Sequence, residues 1–256
     1  MSAKKMTVTV NYQKKLADGV YSMWLAVGPM ADEAKPGQFI SIYSNDSSRL
    51  LPRPISICEV DKEFRSIRVV YRIAGAGTEE FSHLKAGQRV DIMGPLGNGY
   101  TLNQEGRALL IAGGIGIPPM LELAKSLECD KDIVLGYRDA QTFLAAELEE
   151  YGNVYIATED GSVGTQGNVM DAIARYGLKA DTIYSCGPTP MLKAVKQFAI
   201  DNNIDCQISL EEKMACGIGA CLACVCKSKE VDHHTHVHNK RICKDGPVFN
   251  ALEVEL

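Results

Sequence analysis

Residues 109–120 read LLIAGGIGIPPM, an apolar run that passes through glycines into a segment opening with two prolines. The apolar run predicts a buried strand, and the paired prolines suit the first turn of a following helix. Gly113, Gly114 and Gly116 lie between the two elements, where the absence of a side chain lets the backbone approach a pyrophosphate. The stretch therefore predicts a dinucleotide-type loop in an α/β domain, although it lacks the G-x-G-x-x-G fingerprint.

The same alternation continues along the chain to about residue 210. Short apolar runs and amphipathic stretches follow one another in the order LLIAGG, PPMLELAKSL, DIVLGY, TFLAAELEEY, NVYIATE, NVMDAIARY, DTIYSCG, PMLKAVKQFAI and CQISLEE. Five strands joined by four crossovers predict a doubly wound parallel sheet. We assign residues 104–210 to an NAD-binding α/β domain of this kind.

Two loops at the expected carboxyl edge of this sheet carry further candidates, because ligands of open α/β sheets bind there. Cys186, Gly187 and Pro188 follow the strand DTIYSC, and we predict that they contact the nicotinamide end of the cofactor. The alternative for Cys186 is a small buried hydrophobe. The loop TEDGS at 158–162 is acidic and would repel a 2′-phosphate, which favours NADH over NADPH.

Residues 1–103 show a different pattern, in which short runs rich in Val, Ile, Tyr and Ser are separated by turn signals. These runs are MTVTVNY, GVYSMWLAV, GQFISIY, PISICEV, SIRVVYRI and RVDIMG. They predict an antiparallel sheet closed into a small β barrel. One short helix is expected inside this region over residues 78–84, with Thr78 as its N-cap.

Two motifs in this barrel region are suited to a flavin. RPIS at 53–56 places a fixed cation, a rigid proline and a hydroxyl along one strand, which suits a pyrophosphate and the polar edge of an isoalloxazine ring. GAGT at 75–78 leads into the short helix, whose first amides form a phosphate site, and Arg72 adds a positive charge. Each motif alone is more typical of a turn or a surface arginine. Together, and ahead of a nucleotide domain, they favour FAD binding.

The segment CGIGACLAC places Cys216, Cys221 and Cys224 at C-x4-C-x2-C, the spacing by which a plant-type ferredoxin loop wraps a 2Fe-2S cluster. The fourth thiolate of such a site comes from a separate segment. Cys243, in RICKDGPVF, fits that requirement, whereas Cys226 lies too close to Cys224.

Residues 211–256 form a Cys- and Gly-rich region that is too small to bury a core of its own and would need a bound metal to stabilise its fold. A structural zinc ion is the alternative to the cluster, but zinc ribbons prefer paired C-x2-C knuckles and this region has one such pair. The spacing therefore favours 2Fe-2S. The His-rich stretch 233–238 is interpreted as an exposed polar hairpin tip rather than a metal site.

Composition narrows the classes of function. The chain has 256 residues and a formal net charge of -5, which argues against nucleic-acid binding and against a membrane-surface role. The opening MSAKKMTVTV resembles neither a signal peptide nor a spanning helix, so we expect a cytoplasmic protein. Nine cysteines in such a chain are expected to be metal ligands or catalytic thiols rather than disulfides.

In chain order, RPIS, GAGT, IAGGIGIPPM, SCGP and the cluster loop resemble the ferredoxin reductase superfamily. More specifically, the C-terminal position of the cluster, its context EEKMACGIGACLACVC and the following CKDGPVF resemble the electron-transfer subunit of class B, NAD-dependent dihydroorotate dehydrogenases. The resemblance implies that FAD is contacted by Arg53, Pro54, Ile55, Ser56, Val70, Tyr71, Arg72, Gly77 and Thr78. It implies that the cluster is held by Cys216, Cys221, Cys224 and Cys243.

The resemblance also implies a partner, a separate FMN-containing subunit that oxidises dihydroorotate to orotate in a heterotetramer of two catalytic and two electron-transfer chains. The expected function is to carry electrons from that FMN through 2Fe-2S and FAD to NAD+ in pyrimidine biosynthesis. One alternative is the flavin and iron–sulfur subunit of an NADH-dependent ferredoxin:NADP or hydrogenase-type complex, which would share these motifs. Another is a zinc-stapled nucleotide-binding regulator without redox chemistry.

Overall fold

The computed structural model describes residues 4–229, 231 and 236–256. Six antiparallel strands close an N-terminal barrel in the order β1-β2-β5-β4-β3-β6, as the alternating runs predict. The strands are β1 Lys4–Ala17, β2 Val20–Ala26, β3 Phe39–Ile42, β4 Arg53–Asp61, β5 Ser66–Arg72 and β6 Arg89–Leu96. Alternate side chains fill the interior, among them Val8, Val10, Met23 and Leu25, because successive residues of a strand point to opposite faces.

Two short helices belong to the barrel region, α1 Met30–Glu33 and α2 Ala76–Ser82. The prediction that Thr78 caps a helix over 78–84 is wrong, since the N-cap is Gly75 and Thr78 is the third helical residue. Gly75 has no side chain with which to cap the helix. Thr78 Oγ1 instead accepts the N–H groups of Ala74 at 2.8 Å and Gly75 at 3.2 Å. The Thr78 hydroxyl therefore caps the backbone N–H groups that precede the helix, and it does so from the third helical position.

A seven-stranded sheet follows the barrel in the order β10-β9-β8-β7-β11-β12-β15. Its strands are β7 Arg107–Gly113, β8 Asp130–Tyr137, β9 Asn153–Thr158, β10 Thr165–Gln166, β11 Thr182–Cys186, β12 Asp205–Ser209 and β15 Val248–Asn250. All neighbours are parallel except β15, which runs antiparallel to β12. The five predicted parallel strands are confirmed, and the two short edge strands β10 and β15 are additions to them.

The connections contain a 3-10 turn at Gly114–Gly116 and the helices α3 Pro119–Ser126, α4 Ala145–Leu148, α5 Val169–Tyr176 and α6 Thr189–Asn202. The stretch TFLAAELEEY forms only the four-residue α4, whose start is set by Leu144, an N-cap residue with a φ of 67°. Within the part of the chain that the structure describes, no helix is long and apolar enough to span a membrane.

The C-terminal region packs on the sheet instead of standing apart. It contains the hairpin β13 Val225–Lys227 and β14 Asn239–Arg241, followed by β15. Its side chains Ile242, Phe249 and Val254 are buried in one core with Leu109 and Ile111 of β7. The C-terminal region and the sheet thus share one hydrophobic core. The boundaries at 1–103, 104–210 and 211–256 stay a prediction.

Ion pairs around the buried Arg68 join the barrel to the nucleotide sheet. Arg68 of β5 is only 4% exposed and pairs with Glu147 of α4 and Glu59 of β4. Its Nε also donates to Ser22 Oγ at 2.9 Å. Hydrogen bonding from Arg68 lowers the pKa of Glu147, so this stabilisation is complete above the ordinary value of 4.5 and is lost as pH falls through the folded-state pKa. Close by, Glu122 of α3 accepts the backbone N–H of Val60 at 2.8 Å.

We expect Arg68→Met to lower the free energy of unfolding by about 2 kcal/mol, because it removes the charged hydrogen bonds from Arg68 to Glu147, Glu59 and Ser22. Urea unfolding followed by circular dichroism measures the difference. The matched control is Lys15→Met, whose ion pair with Asp18 is exposed and whose loss should not change the unfolding midpoint. A loss below about 1 kcal/mol for Arg68→Met, as typical of surface pairs, would contradict the expectation.

Candidate functional site

The predicted nucleotide loop and the SCGP motif meet at the carboxyl edge of the sheet. β7 and β11 are parallel neighbours, with Cys186 opposite Ala112. A Cβ atom on Gly116 would lie 2.4 Å from the carbonyl oxygen of Cys186 and 2.7 Å from Cα of Gly187. Only glycine fits such an approach without displacing backbone. The two motifs therefore form one surface at the ends of adjacent strands.

Packing behind this surface holds the loop in place. A Cβ atom on Gly113 would lie 2.8 Å from Sδ of Met191 and 3.3 Å from Cδ of Pro188. Burial raises the pKa of Cys186 to about 12, although a hydrogen bond with Ser209 acts in the opposite direction. The Cys186 thiol is consequently neutral at physiological pH, which suits a small contact group and not a thiolate nucleophile.

The acidic loop at 158–162 follows β9 at the same edge. Asp160 Oδ1 accepts the hydroxyl of Ser162 at 2.6 Å and its backbone N–H at 2.9 Å. These bonds, the side-chain one first, lower the pKa of Asp160, so the loop carries a fixed negative charge. The nearby cation Arg175 donates to Thr165 Oγ1 at 3.4 Å and lies over the ring of Tyr176. The preference for NADH stays a prediction, and this charge supports it.

The two predicted flavin motifs also come together. Arg53 begins β4, and its side chain crosses the start of α2, where a Cβ atom on Gly77 would lie 2.6 Å from the Arg53 Nε. Arg53 Nη1 donates to the carbonyl of Leu51. Pro54, Ile55 and Ser56 continue the strand and are half-buried. A guanidinium against a side-chain-free helix start is an arrangement suited to phosphate oxygens.

The β5 candidates face in different directions. Val70 and Tyr71 are buried, and the Tyr71 hydroxyl donates to Gln13 Oε1 at 2.9 Å inside the barrel. Burial raises the pKa of Tyr71 well above its ordinary value of 10.0. Arg72 at the strand end is exposed, and its Nη2 lies 3.8 Å from where a Cβ of Gly114 would be. Arg72 therefore lies between the flavin motifs and the nucleotide loop.

The four predicted cluster cysteines form two pairs. Cys216 and Cys221 lie on one loop, where the N–H of Ala220 donates to Cys216 Sγ at 3.3 Å, and the backbone N–H of Cys243 donates to Cys224 Sγ at 3.4 Å. Two cysteines per iron is the ligand arrangement of a 2Fe-2S cluster, whereas zinc requires four ligands around one point. The donor set fits the cluster.

Backbone amides point at the sulfur atoms of these pairs. Cys216 Sγ accepts N–H groups from Ile218 at 3.5 Å and Ala220 at 3.3 Å. Cys243 Sγ accepts the N–H of Gly219 at 3.1 Å. The loop can curl in this way because Gly217 and Gly219 have φ values of 70° and 82°. Amides aimed at sulfur stabilise thiolates, which is the charge state that iron binds.

The ionisation of the cysteines follows from these surroundings. Burial opposes ionisation of Cys216, but the N–H of Ile218 and the thiol of Cys221, among other donors, lower its pKa to about 6. Burial and the neighbouring Cys224 raise the pKa of Cys243 to about 12. Loading the cluster at neutral pH therefore takes a proton from Cys243 and less than one from Cys216.

Other predicted features of this region lie outside the two pairs. Cys226 Sγ donates to the carbonyl of Lys240 at 3.6 Å on the β13–β14 hairpin, and burial raises its pKa to about 11. In the His-rich stretch, His233 and His234 lie outside the described residues. His236 and His238 are exposed, and His238 Nδ1 lies 2.9 Å from the carbonyl oxygen of Lys229.

Sequence reasoning missed residues that hold these elements in place. Asn98 follows β6 and reaches the backbone after Cys243, and Arg241 pairs with Asp245 around the same cysteine. The only signal for Asn98 is its position between two glycines in PLGNGY, which is typical of a close backbone approach. No sequence pattern marks Arg241, because the fold determines which residues it contacts.

Comparisons with known proteins agree with this geometry. Residues 211–255 match the family model of the iron–sulfur cluster binding domain of dihydroorotate dehydrogenase B, and residues 110–197 match that of an oxidoreductase NAD-binding domain. The chain is 42% identical to a protein from Geobacillus sp. (strain WCH70) named dihydroorotate dehydrogenase B (NAD(+)), electron transfer subunit, over 99% of each chain. The chain belongs to this family of electron transfer subunits.

Other relatives extend the comparison. The subunit of the same name from Listeria innocua is 46% identical over 95% of this chain and 96% of its own. Among solved structures, one of NADH-dependent reduced ferredoxin-NADP oxidoreductase has a TM-score of 0.87 at 28% identity, covering 97% of this chain and 89% of its own. Flavohemoglobin from Malassezia yamatoensis, at 21% identity and a TM-score of 0.65 over 78% of this chain and 57% of its own, shares the fold alone.

We expect Cys216→Ser, Cys221→Ser, Cys224→Ser and Cys243→Ser each to abolish or strongly reduce the visible iron–sulfur absorption, because serine does not provide a soft thiolate ligand. Absorption spectra and iron content per chain measure the loss. The matched control is Cys226→Ser, which removes a nearby thiol outside the two pairs and should keep both signals. Loss of iron with Cys226→Ser and its retention with Cys243→Ser would contradict this ligand set.

Gly116→Ala tests the meeting of the two loops at the sheet edge. Its methyl group would push the nucleotide loop away from Cys186, and we expect KM for NADH to rise about tenfold or more from the misplaced backbone. Steady-state NADH oxidation with ferricyanide measures it, with unchanged FAD content and iron content as internal controls. An unchanged KM in a variant that keeps both cofactors would contradict this expectation.

Proposed function

We propose that this chain is the electron transfer subunit of an NAD-dependent dihydroorotate dehydrogenase in pyrimidine biosynthesis. The observation that carries the proposal is the grouping of Cys216 and Cys221 on one loop, with Cys243 hydrogen-bonded to Cys224, beside a flavin-type barrel and an NAD-type sheet. When bound, 2Fe-2S, FAD and NAD+ supply a series of redox groups that takes electrons from the FMN of a catalytic partner to NAD+.

In this proposal the barrel holds FAD through cationic, hydroxyl and backbone groups. Arg53 and the start of α2 bind the pyrophosphate, since the guanidinium and the free amides converge there. Ser56 meets the polar edge of the ring. The buried side chains of Val70 and Tyr71 point into hydrophobic cores, so these residues offer the flavin their backbone groups. The remaining contacts are those of Pro54, Ile55, Arg72, Gly77 and Thr78.

The nucleotide sheet orients the nicotinamide. Gly113, Gly114 and Gly116 receive the pyrophosphate at the end of β7, and Gly187 and Pro188 meet the nicotinamide end. Cys186 contributes a neutral thiol that fixes the position of the ring without carrying charge. The exposed Arg72, beside Gly114, marks the side on which the flavin and nicotinamide approach each other.

The cluster loop faces the partner. Ile218 and Leu222 are large apolar side chains that are 51% and 43% exposed on the loop carrying the cysteines. Apolar side chains of this kind suit the dry centre of a protein interface. We place the FMN-containing catalytic subunit against them, in a heterotetramer of two catalytic and two electron-transfer chains. We place the complex in the cytoplasm.

One alternative function has an observation in its favour. The high structural similarity to NADH-dependent reduced ferredoxin-NADP oxidoreductase is compatible with a different physiological partner and the same cofactors. The identity of 42% and 46% to dihydroorotate dehydrogenase B subunits over nearly the full chain, against 28% for that protein, favours the dihydroorotate partner.

Purification of the endogenous complex tests the proposal. We expect the chain to co-purify with an FMN protein, and the complex to reduce NAD+ with dihydroorotate. The isolated chain should oxidise NADH with a dye acceptor but not oxidise dihydroorotate, because the proposal assigns that oxidation to the FMN-containing partner. A flavin and iron–sulfur spectrum with a different partner would support the alternative, and a colourless chain would contradict both.

A further inference from the structure

The segment that carries Cys243 is closed into a tight turn by its own flanking residues. The carbonyl oxygen of Arg241 accepts the N–H groups of Lys244 at 3.0 Å and Asp245 at 2.7 Å. In return, the backbone N–H of Arg241 donates to Asp245 Oδ2 at 2.8 Å. Cys243 therefore lies at the middle of a turn whose two ends are bonded to each other.

A bidentate ion pair reinforces the same turn. Arg241 Nε donates to Asp245 Oδ2 at 3.0 Å, and Nη2 donates to Oδ1 at 3.1 Å. The Arg241 side chain is only 11% exposed and that of Asp245 is 26% exposed, so solvent screens the pair weakly. Two parallel bonds fix the guanidinium plane as well as its position. The pair thus gives the turn one defined shape.

The third arm of the guanidinium reaches the other cysteine segment. Arg241 Nη1 donates to the carbonyl oxygen of Gly219 at 3.4 Å. The N–H of the same glycine donates to Cys243 Sγ at 3.1 Å. Gly219 is therefore bonded through its carbonyl to Arg241 and through its amide to Cys243. This contact sets the Cys243 turn against the loop that bears Cys216 and Cys221.

The turn is also bonded to the barrel. Asn98, which follows β6, donates through Nδ2 to the carbonyl oxygens of Lys244 at 3.1 Å and Asp245 at 3.0 Å. Its backbone N–H donates to the carbonyl of Gly246 at 2.6 Å. A side chain at Gly246 is excluded, because a Cβ atom there would lie 2.3 Å from the ring of Phe249. These contacts involve Lys244, Asp245, Gly246 and Phe249 of the CKDGPVF motif.

We propose that Arg241 is a positioning residue that sets Cys243 both against the cluster loop and, through the turn fixed by Asn98, against the flavin barrel. The proposal rests on the proposed function, since it assigns Arg241 to the alignment of the cluster with the flavin. The effect of Arg241 passes through Asp245, Gly219 and Cys243.

The test compares the full-length Arg241→Met chain with the unchanged chain, both carrying FAD. The readouts are iron and sulfide per chain, the electron paramagnetic resonance spectrum of the dithionite-reduced cluster, and the rate at which NADH reduces the cluster. We expect an altered spectrum and a rate or iron content lower by about tenfold, as for other residues that orient metal ligands. Reduction of FAD by NADH should stay unchanged, because the turn lies outside the nucleotide loop.

Three further variants make the outcome decisive. Arg241→Lys keeps the positive charge but cannot form the bidentate pair with Asp245. This variant should recover part of the electron paramagnetic resonance spectrum of the unchanged chain. Asp245→Asn keeps the shape of the side chain and removes the ion pair, so it decides the question if Arg241→Met also loses FAD. The matched control is Arg107→Met, which removes an arginine paired with Asp132 at the start of β7 and should leave the cluster signals unchanged.

Each outcome has a distinct meaning. Unchanged iron content, spectrum and cluster reduction rate in both Arg241→Met and Asp245→Asn would overturn the positioning role while leaving the proposed function intact. An unmodified chain without any iron–sulfur signal would overturn the proposed function and this inference with it.

Discussion

The antiparallel pairing of β15 with β12 fixes the position of the cluster cysteines relative to the rest of the molecule. Ile208 faces Phe249 in this pairing, and the Leu210 N–H donates to the carbonyl of Pro247 at 2.9 Å. Residues 210–247 consequently leave the sheet and return to it at the same edge. Both ends of the cluster segment are held by ladder hydrogen bonds, so a region without a core of its own acquires a fixed orientation on the nucleotide sheet.

Local patterns predict most of this architecture, because they report short-range physics. The apolar runs indicate the strands of barrel and sheet, since burial imposes their periodicity. The glycines at 113, 114 and 116 and the cysteine spacing at 216, 221 and 224 mark close backbone approaches and a ligand loop, which depend on neighbours in sequence. The strand-end position of these glycines and the loop position of these cysteines are therefore predictable from the order of residues alone.

Features that depend on distant contacts are not predictable in this way. β15 is three residues long and exists because β12 offers it an edge. Asn98 meets residues almost 150 positions away, and nothing in its local sequence indicates their identity. The prediction of Thr78 as an N-cap fails because its hydroxyl caps from the third helical position, which the residue type alone does not distinguish. Tertiary context decides each of these cases.

The shared edge at which residues 210–247 begin and end has an evolutionary consequence. Removing such an excursion leaves the parallel strands and the barrel with their ladders intact, apart from the edge that β15 covers on β12. A flavin and nicotinamide module can therefore gain or lose a one-electron relay through a change at one sheet edge, without redesign of its two-electron chemistry. In this architecture, the cysteine loop belongs to an excursion from one sheet edge, whose evolutionary history can differ from that of the module that bears it.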